Sequence, residues 1–348
     1  MPSRSMEPGI VAYICERMEQ VTVIGAGSWG TAVAALAARE NAVTLWARRS
    51  ELAEAINRQS ENPDYLPGVR LPFGLRSTAD LAEAVAGAGI LALAVPSHGF
   101  RAIVDEIRSV PAQVPIISLT KGIEVETLCR MTEIIAEGFP THVSDRVGVL
   151  TGPNLAAEVM AGSPTAAVVA MRDQEAAKQV QATFAGPTFR VYTNDDVVGC
   201  ELAGSLKNVM AIAAGMSTGL GFGDNTRAAL ITRALAELTR LGVALGGAPA
   251  TFAGLAGMGD LIATCTSSQS RNHRVGVELA AGKRLEQITG EMNMVAEGIK
   301  TTKAVLELAN RAGVEMPIAQ QVGKVLYEGH HPRQAVMTLM TRASKSES

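Results

Sequence analysis

The sequence lacks the residue patterns that mark several kinds of site. Its four cysteines are widely scattered and form no C-x-x-C pair, and its five histidines show no metal-ligand spacing. We therefore expect reduced thiols, a cytoplasmic location and no bound metal. The cysteines are Cys15, Cys129, Cys200 and Cys265.

Long apolar runs and an excess of basic residues are also absent. The longest uncharged candidate, residues 209–223, is rich in glycine and stops at Asp224, so we expect no membrane span. The formal net charge of −3 provides no general basic field, which argues against nucleic acid as a partner. A local basic pocket remains compatible with a small anionic substrate.

A glycine-rich turn near the start of the chain is the strongest local motif. Residues 21–24 form a β-branched run typical of a buried strand, and residues 31–38 are an alanine-rich helix. Between them stand Gly25, Gly27 and Gly30, spaced as in a dinucleotide-binding turn. Free N–H groups at the helix start would face the phosphates. The alternative is a purely structural turn.

The second strand, predicted at 43–46, leads to Arg48 and Arg49. A NAD-preferring site usually places an acid here to hold the ribose 2′-hydroxyl. Two guanidinium groups instead suit a 2′-phosphate. We therefore expect NADP(H), or use of both NADP(H) and NAD(H), with two solvated arginines as the alternative.

Strands and helices alternate through the first half of the chain. Buried strands predicted at 90–95, 116–119 and 147–150 indicate a parallel, doubly wound sheet, whose ligands bind at the carboxyl ends of its strands. That rule assigns one common location to His98, Lys121, Gly152 and Asn154. Lys121 is expected to contact cofactor or substrate, unless it is a solvated loop lysine. His98 is the weaker candidate, because it could serve as a helix cap.

The chain changes character near Asp195, because strand patterns end and long helical patterns follow. We predict a Rossmann-type α/β domain at 18–195 and an all-helical substrate domain at 196–342. Residues 1–17 and 343–348 are expected to be loose termini. The length of 348 residues and the hydrophobic content of 47% agree with two cores.

One lysine, Lys207, interrupts an otherwise small and apolar helical segment. If desolvated, its ammonium would have a lowered pKa and could donate a proton to a ketone reduced by hydride. If exposed, it would be an ordinary helix charge.

Two later segments also have the composition of a binding site. A glycine-rich loop leads to Asp260, and residues 270–274 combine two cations with hydrogen-bonding side chains suited to phosphate.

The order of short motifs over residues 18–340 resembles the bacterial NAD(P)-dependent glycerol-3-phosphate dehydrogenases. The motifs include G-A-G-S-W-G-T-A, T-K-G-I, G-P-N-L-A, E-L-A-G-S-L-K-N, G-L-A-G-M-G-D-L and S-R-N. The resemblance implies that dihydroxyacetone phosphate is reduced to sn-glycerol 3-phosphate, mainly to supply phospholipid synthesis. It also implies that Lys207 is the catalytic acid/base.

The resemblance also implies two sets of binding residues. Those of the NADPH site, taken together with the glycine turn and the arginine pair, are Gly25, Gly27, Ser28, Trp29, Gly30, Arg48, Arg49, Lys121, Ala156, Arg271, Val295 and Glu297. Those of the substrate site are Lys121, Gly152, Asn154, Lys207, Asp260, Ser270, Arg271 and Asn272. The family often has Ser or Thr followed by Phe after Gly-Pro, where this chain has Asn154 and Leu155.

Two other functions are compatible with the pattern. One is a hydroxyacid dehydrogenase of the same two-domain build that acts on a carboxylate, and the other is a non-catalytic sensor of NADP(H). The glycine-rich residues 215–223 suggest either a close contact between the subunits of a homodimer or an approach of the substrate to the backbone.

Overall fold

The computed structural model describes residues 19–292 and 296–343. The loose N-terminal segment predicted at 1–17, most of the predicted C-terminal tail, and the predicted cofactor residue Val295 lie outside these ranges.

The described residues contain ten strands, which form one large sheet and one small hairpin. The large sheet has eight strands in the order β10-β9-β8-β7-β6-β1-β2-β5, and β3 pairs with β4 in the hairpin. The strands are β1 Gln20–Ile24, β2 Ala42–Trp46, β3 Glu61–Asn62, β4 Leu66–Arg70, β5 Leu75–Thr78, β6 Ile90–Leu93, β7 Ile116–Ser118, β8 Val147–Thr151, β9 Thr165–Ala170 and β10 Phe189–Asn194.

The large sheet is parallel except at one pairing. Strands β8 and β9 are antiparallel, with Leu150 opposite Val169, whereas the sequence pattern predicted a parallel sheet throughout. The connection between them contains a helix of only 5 residues, Ala156–Met160. The connection between β5 and β6 also contains a helix of 5 residues, Leu81–Val85, yet those two strands run parallel, so the length of the connection does not set the direction of β9.

Helices cover both faces of the sheet, which explains the continuous apolar runs of its strands. Val21, Val23 and Ile24 in β1 have no exposed surface. The helices of this part are α1 Ser28–Ala37, α2 Ser50–Gln59, α3 Leu81–Val85, α4 Ser97–Glu106, α5 Met131–Gly138, α6 Ala156–Met160 and α7 Gln174–Phe184. A 3₁₀ turn at Ser144–Arg146 precedes β8.

The described residues after β10 are helical. They form α8 Val197–Gly219, α9 Asp224–Ala244, α10 Pro249–Phe252, a π-helical turn at Leu255–Gly259, α11 Asp260–Thr266, α12 Arg271–Ala280, α13 Leu285–Glu291, α14 Glu297–Arg311, α15 Pro317–Glu328 and α16 Pro332–Met340. Helix α8 lies at the centre, with α9, α11, α12 and α14 packed around it. Among the described helices it alone is long and apolar enough to cross a bilayer, but 89% of its apolar window is buried inside the protein.

The glycines of α8 make an intramolecular contact. A β-carbon at Gly215 would lie 1.9 Å from the carbonyl oxygen of His273, and one at Gly276 would lie 2.1 Å from that of Ile212. These glycines therefore let α8 and α12 approach each other closely within one chain. The predicted alternatives for this stretch, a contact between subunits or an approach of substrate, were wrong for Gly215 because composition does not reveal which helix packs there.

Candidate active site

The glycine turn lies at the carboxyl end of β1. A different geometric reason explains the presence of glycine at each of its three positions. Gly25 has φ +116°, and a β-carbon there would lie 2.6 Å from the carbonyl oxygen of Ala94. A β-carbon at Gly30 would lie 2.0 Å from the carbonyl oxygen of Gly25, whereas one at Gly27 would meet nothing within 4 Å. The first and third glycines therefore serve close packing, and the second faces open space in which a pyrophosphate would fit.

The strand order places this turn at the topological switch point. Strand β1 lies between β6 and β2, so a crevice opens between the end of β1 and the end of β6, where doubly wound folds bind dinucleotides. The Ser28 hydroxyl donates to the Tyr65 carbonyl oxygen at 2.7 Å. Trp29 packs against Phe189 with ring centroids 6.3 Å apart, and its buried indole nitrogen has no partner among the described residues.

The two arginines after β2 differ in their surroundings. Arg49 forms an ion pair with Asp64 of the hairpin, and this contact raises the pKa of the guanidinium above its usual value. Arg48 is exposed and has no ion pair with any described residue. Arg48 is therefore the better placed of the two to receive a 2′-phosphate.

Two lysines share one buried carboxylate where the loops after β7 and β8 meet the central helix α8. Lys207 Nζ donates to Asp260 Oδ1 at 2.7 Å, and Lys121 Nζ donates to Asp260 Oδ2 at 2.6 Å. Lys121 Nζ also donates to the Gly152 carbonyl oxygen at 2.9 Å, and Lys207 donates to the Thr264 hydroxyl. The structure thus brings together five residues from four separate parts of the chain.

Burial changes the acidity of Lys207. The side chain is 5% exposed, and desolvation lowers its pKa from 10.5 to about 8, against the opposing effect of Asp260 and with a further lowering by Lys121. At neutral pH the amine is therefore mostly protonated, yet it gives up its proton far more readily than a solvated lysine.

Asn154 follows β8 beside this cluster and is unsatisfied. Both atoms of its side-chain amide are buried and have no hydrogen-bond partner among the described residues. A β-carbon at Gly152 would lie 3.7 Å from Asn154 Oδ1, so the amide lies close to the residue whose carbonyl oxygen binds Lys121. Because buried polar groups are nearly always paired, the amide is available to bind a water molecule or a polar ligand at this point.

The start of α12 combines structural and accessible groups. Asn272 Nδ2 donates to Asn208 Oδ1 at 3.0 Å, and Asn272 Oδ1 accepts from the Gly298 N–H at 3.0 Å. Ser270 Oγ accepts from the His273 N–H at 3.2 Å. These contacts occupy part of the hydrogen-bonding capacity of both predicted substrate residues.

Arg271 is the accessible cation at the same helix start. Its side chain is exposed and forms no hydrogen bond with a described residue. Surrounding protein atoms nevertheless desolvate the guanidinium and lower its pKa from the usual value, and Glu297 opposes this effect. A guanidinium whose donors are unused is suited to a phosphate.

Glu297 joins the helical part to the crevice. It begins α14, and its carboxylate accepts from the Ser97 N–H at 3.2 Å and from the Ser97 hydroxyl at 2.5 Å. Ser97 begins α4, which follows β6.

His98 is exposed and takes no part in the lysine network, so the structure does not join it to Lys121 and Gly152 as the shared strand-end position predicted. Ala156 is the first residue of α6 and follows Asn154 closely in the chain.

Sequence reasoning missed three contributors to this site. Thr264 lies one helical turn after Asp260, so the spacing i, i+4 already placed both side chains on one face. Asn208 follows Lys207, and its Nδ2 donates to the Lys121 carbonyl oxygen at 3.0 Å. Ser97 gave no local signal, because its partner Glu297 is 200 residues away in the chain.

Comparisons with known proteins agree with this geometry. The family model described as the NAD-dependent glycerol-3-phosphate dehydrogenase N-terminus matches residues 20–177, and the model of the C-terminus matches residues 196–337. A Sphingopyxis alaskensis protein named glycerol-3-phosphate dehydrogenase (NAD(P)+) 2 is 56% identical over 87% of this chain and 90% of its own. A Moorella thermoacetica protein named glycerol-3-phosphate dehydrogenase (NAD(P)+) is 50% identical over 94% of this chain and 98% of its own.

A solved structure supports the same assignment. The crystal structure of glycerol-3-phosphate dehydrogenase from Coxiella burnetii superposes with a TM-score of 0.88 at 38% sequence identity, over 93% of this chain and 99% of that chain. The fold and the lysine cluster define a two-part nucleotide-dependent dehydrogenase. The chain belongs to the NAD(P)-dependent glycerol-3-phosphate dehydrogenase family, as the sequence motifs predicted.

Proposed function

We propose that the protein reduces dihydroxyacetone phosphate to sn-glycerol 3-phosphate with NADPH or NADH, and so supplies glycerophospholipid synthesis. The observation that carries the proposal is the buried Lys207, hydrogen-bonded to Asp260. Asp260 also binds Lys121, which follows β7 at the same strand-end edge of the sheet as the glycine turn. A reduced nicotinamide supplies hydride, and a buried ammonium supplies the proton that completes an alcohol.

The cofactor fits the crevice at the switch point. Gly27 leaves open space at the turn, and the N–H groups that begin α1 would bind the pyrophosphate. Arg48 would bind a 2′-phosphate, which supports use of NADP(H) as well as NAD(H). The proposed cofactor residues are Gly25, Gly27, Ser28, Trp29, Gly30, Arg48, Arg49, Lys121, Ala156, Arg271, Val295 and Glu297.

Lys207 is the proposed catalytic acid. Its ammonium polarises the C2 carbonyl oxygen of the substrate and delivers one proton to that oxygen as hydride reaches C2, so the lysine is left neutral and the ketone becomes an alcohol. Asp260 and Thr264 hold the Lys207 nitrogen in place. The reverse reaction uses the neutral amine as the base.

The remaining substrate residues would fix the phosphate and the hydroxyl group. Arg271, with unused donors, binds the phosphate together with the start of α12. Asn154, whose amide is unpaired, hydrogen-bonds a substrate oxygen near Lys121. The proposed substrate residues are Lys121, Gly152, Asn154, Lys207, Asp260, Ser270, Arg271 and Asn272.

The organisation of the chain supports this division of tasks. We assign residues 18–195 to the cofactor and residues 196–342 to substrate and catalysis, because the last strand ends at Asn194 and α8 begins at Val197.

The proposal also includes the oligomeric state and location, a homodimer in the cytoplasm. Its support is the apolar groove that includes the exposed side chains of Val243 and Met340. Light scattering tests the mass, and a monomer at micromolar concentration would contradict the dimer.

Initial rates distinguish the proposal from its alternatives. We expect NADPH oxidation with dihydroxyacetone phosphate and little with 2-keto acids of similar size, because a guanidinium at the helix start favours a phosphate dianion. Faster turnover of a 2-keto acid would favour the hydroxyacid dehydrogenase. Tight NADPH binding without reduction of any ketone would favour the sensor.

A further inference from the structure

The side chain of Asn62 is fully buried and bound to the glycine turn. It is 0% exposed, and its Nδ2 donates to the Ala26 carbonyl oxygen at 2.8 Å and to the Thr31 hydroxyl at 2.8 Å. Its Oδ1 accepts from the Tyr65 N–H at 3.2 Å. Asn62 lies in the β3–β4 hairpin, 36 residues beyond Ala26 in the chain.

The hydrogen bond to Ala26 fixes the orientation of a functional peptide group. The Ala26 carbonyl and the Gly27 N–H belong to the same peptide bond, which is planar and trans, so they point in opposite directions. With the carbonyl held toward Asn62, the Gly27 N–H points away from the hairpin. The space beside Gly27 is open, because a β-carbon there would meet nothing within 4 Å.

The hairpin contacts the turn and its surroundings at two further positions. The Tyr65 carbonyl oxygen accepts from the Ser28 hydroxyl at 2.7 Å, and Asp64 forms an ion pair with Arg49 at the end of β2. Asn62 thus anchors a hairpin that joins the glycine turn to the arginine pair.

We propose that Asn62 is a positioning residue for the cofactor: it orients the Ala26–Gly27 peptide so that the Gly27 N–H is ready to bind the pyrophosphate. This inference rests on the cofactor site given under Proposed function. It assigns Asn62 no contact with the reacting atoms, so its loss should weaken cofactor binding and leave the chemical step intact.

The test is NADPH affinity in purified full-length variants, measured by fluorescence titration and as KM. Asn62→Ala removes both donors, and we expect the dissociation constant and the KM for NADPH to rise roughly tenfold, the effect of one hydrogen bond to a charged group. The kcat at saturating NADPH should stay within about twofold of wild type. Unchanged NADPH affinity in a folded variant would overturn the proposal.

Asn57→Ala is the matched control. Asn57 Nδ2 donates to the Ser77 carbonyl oxygen and Asn57 Oδ1 accepts from the Ser77 N–H, both at 2.7 Å, in the same part of the chain but away from the turn. Asn57 is exposed and Asn62 is buried, so the two variants can differ in melting temperature, but a merely structural role predicts wild-type NADPH affinity for both. The positioning role predicts weaker NADPH binding for Asn62→Ala alone.

Two more variants separate the possible failures. Should Asn62→Ala not fold, Asn62→Leu decides, because its side chain fills a similar volume, carries no charge and donates nothing to the Ala26 carbonyl oxygen. Gly27→Val adds a side chain in open space and blocks the pyrophosphate. If Gly27→Val still binds NADPH, the proposed cofactor site is wrong. If Gly27→Val loses NADPH and Asn62→Ala does not, only the role of Asn62 is wrong.

Discussion

The pH dependence of ketone reduction should report the ionisation of Lys207. Because its pKa is about 8, kcat/KM for dihydroxyacetone phosphate should be level below that pH and fall tenfold for each pH unit above it. The reverse oxidation needs the neutral amine, so its kcat/KM should rise through the same range. The two opposite profiles should share one midpoint.

The variant Asp260→Asn should move that midpoint downward. The Asp260 carboxylate lies 2.7 Å from the Lys207 nitrogen and stabilises the charged form, and loss of such a partner lowers a pKa by about one to three units. The variant's midpoint should therefore fall to roughly pH 5–7. At pH 8 the protonated fraction would then be roughly 5- to 500-fold lower than in wild type.

The assay is the initial rate of NADPH oxidation from pH 5 to 10 at low substrate concentration, with wild type and Asp260→Asn measured side by side. The midpoint is the decisive readout, because Asp260 also orients Lys121, and its loss can lower the rate equally at every pH. A midpoint that stayed near pH 8 or moved upward in the variant would refute the assignment of the proton donor.

Three further predictions concern anion binding, cofactor choice and stability. Arg271→Lys should raise the KM for dihydroxyacetone phosphate roughly 10- to 100-fold, with less effect on kcat, because an ammonium makes no bidentate contact with phosphate. Arg48→Glu should raise the ratio of the KM values for NADPH and NADH more than Arg49→Glu does, because Arg49 is already paired with Asp64. Glu201→Ala should lower the free energy of unfolding in urea by about 3–5 kcal/mol, because it leaves Arg130 without its buried partner.

Each of these predictions has a clear contrary result. A KM for phosphate substrate that is unchanged in Arg271→Lys would place the phosphate elsewhere. Equal effects of the Arg48 and Arg49 variants on the KM ratio would remove the distinction between them. A loss of less than about 1 kcal/mol in Glu201→Ala would mean that the pair with Arg130 behaves like an exposed one.

The glycine turn was predictable because its requirements are local. A positive φ at Gly25 and the close approach at Gly30 depend on residues within one strand, one turn and one helix. The same holds for the alternation of buried strands and helices. The order of the motifs along the chain then identified the family, because several specific motifs occur in the same order as in that family.

The antiparallel pairing of β8 with β9 was not predictable from the strands themselves. Both are short apolar runs. The residue pattern of a strand buried on both faces does not reveal whether the strand runs parallel or antiparallel to its neighbour. The connection through α6 gives no sign of the reversal either, because a helix of the same length connects the parallel strands β5 and β6. The direction of β9 depends on the packing of the whole sheet. The β3–β4 hairpin was missed for a related reason, because its prolines and polar residues are typical of a loop.

The partners of Lys207 could not be predicted from local sequence patterns. A single lysine in an apolar segment indicated either a buried or an exposed cation, and only the fold shows that Asp260, 53 residues away, binds it. Lys121 and Asp260 are separated by 139 residues. Such contacts depend on how the sheet and the helices pack, and no periodicity in the sequence records that.

The most direct test of the central claim compares Lys207→Ala with the control Lys178→Ala, which removes an exposed lysine paired with Glu175. Initial rates of NADPH oxidation with dihydroxyacetone phosphate are measured beside NADPH binding. We expect Lys207→Ala to lose roughly 10²- to 10⁴-fold in kcat while it binds NADPH nearly as tightly as wild type, and we expect the control to match wild type in both. Near-normal turnover in Lys207→Ala would contradict the assignment of the catalytic acid.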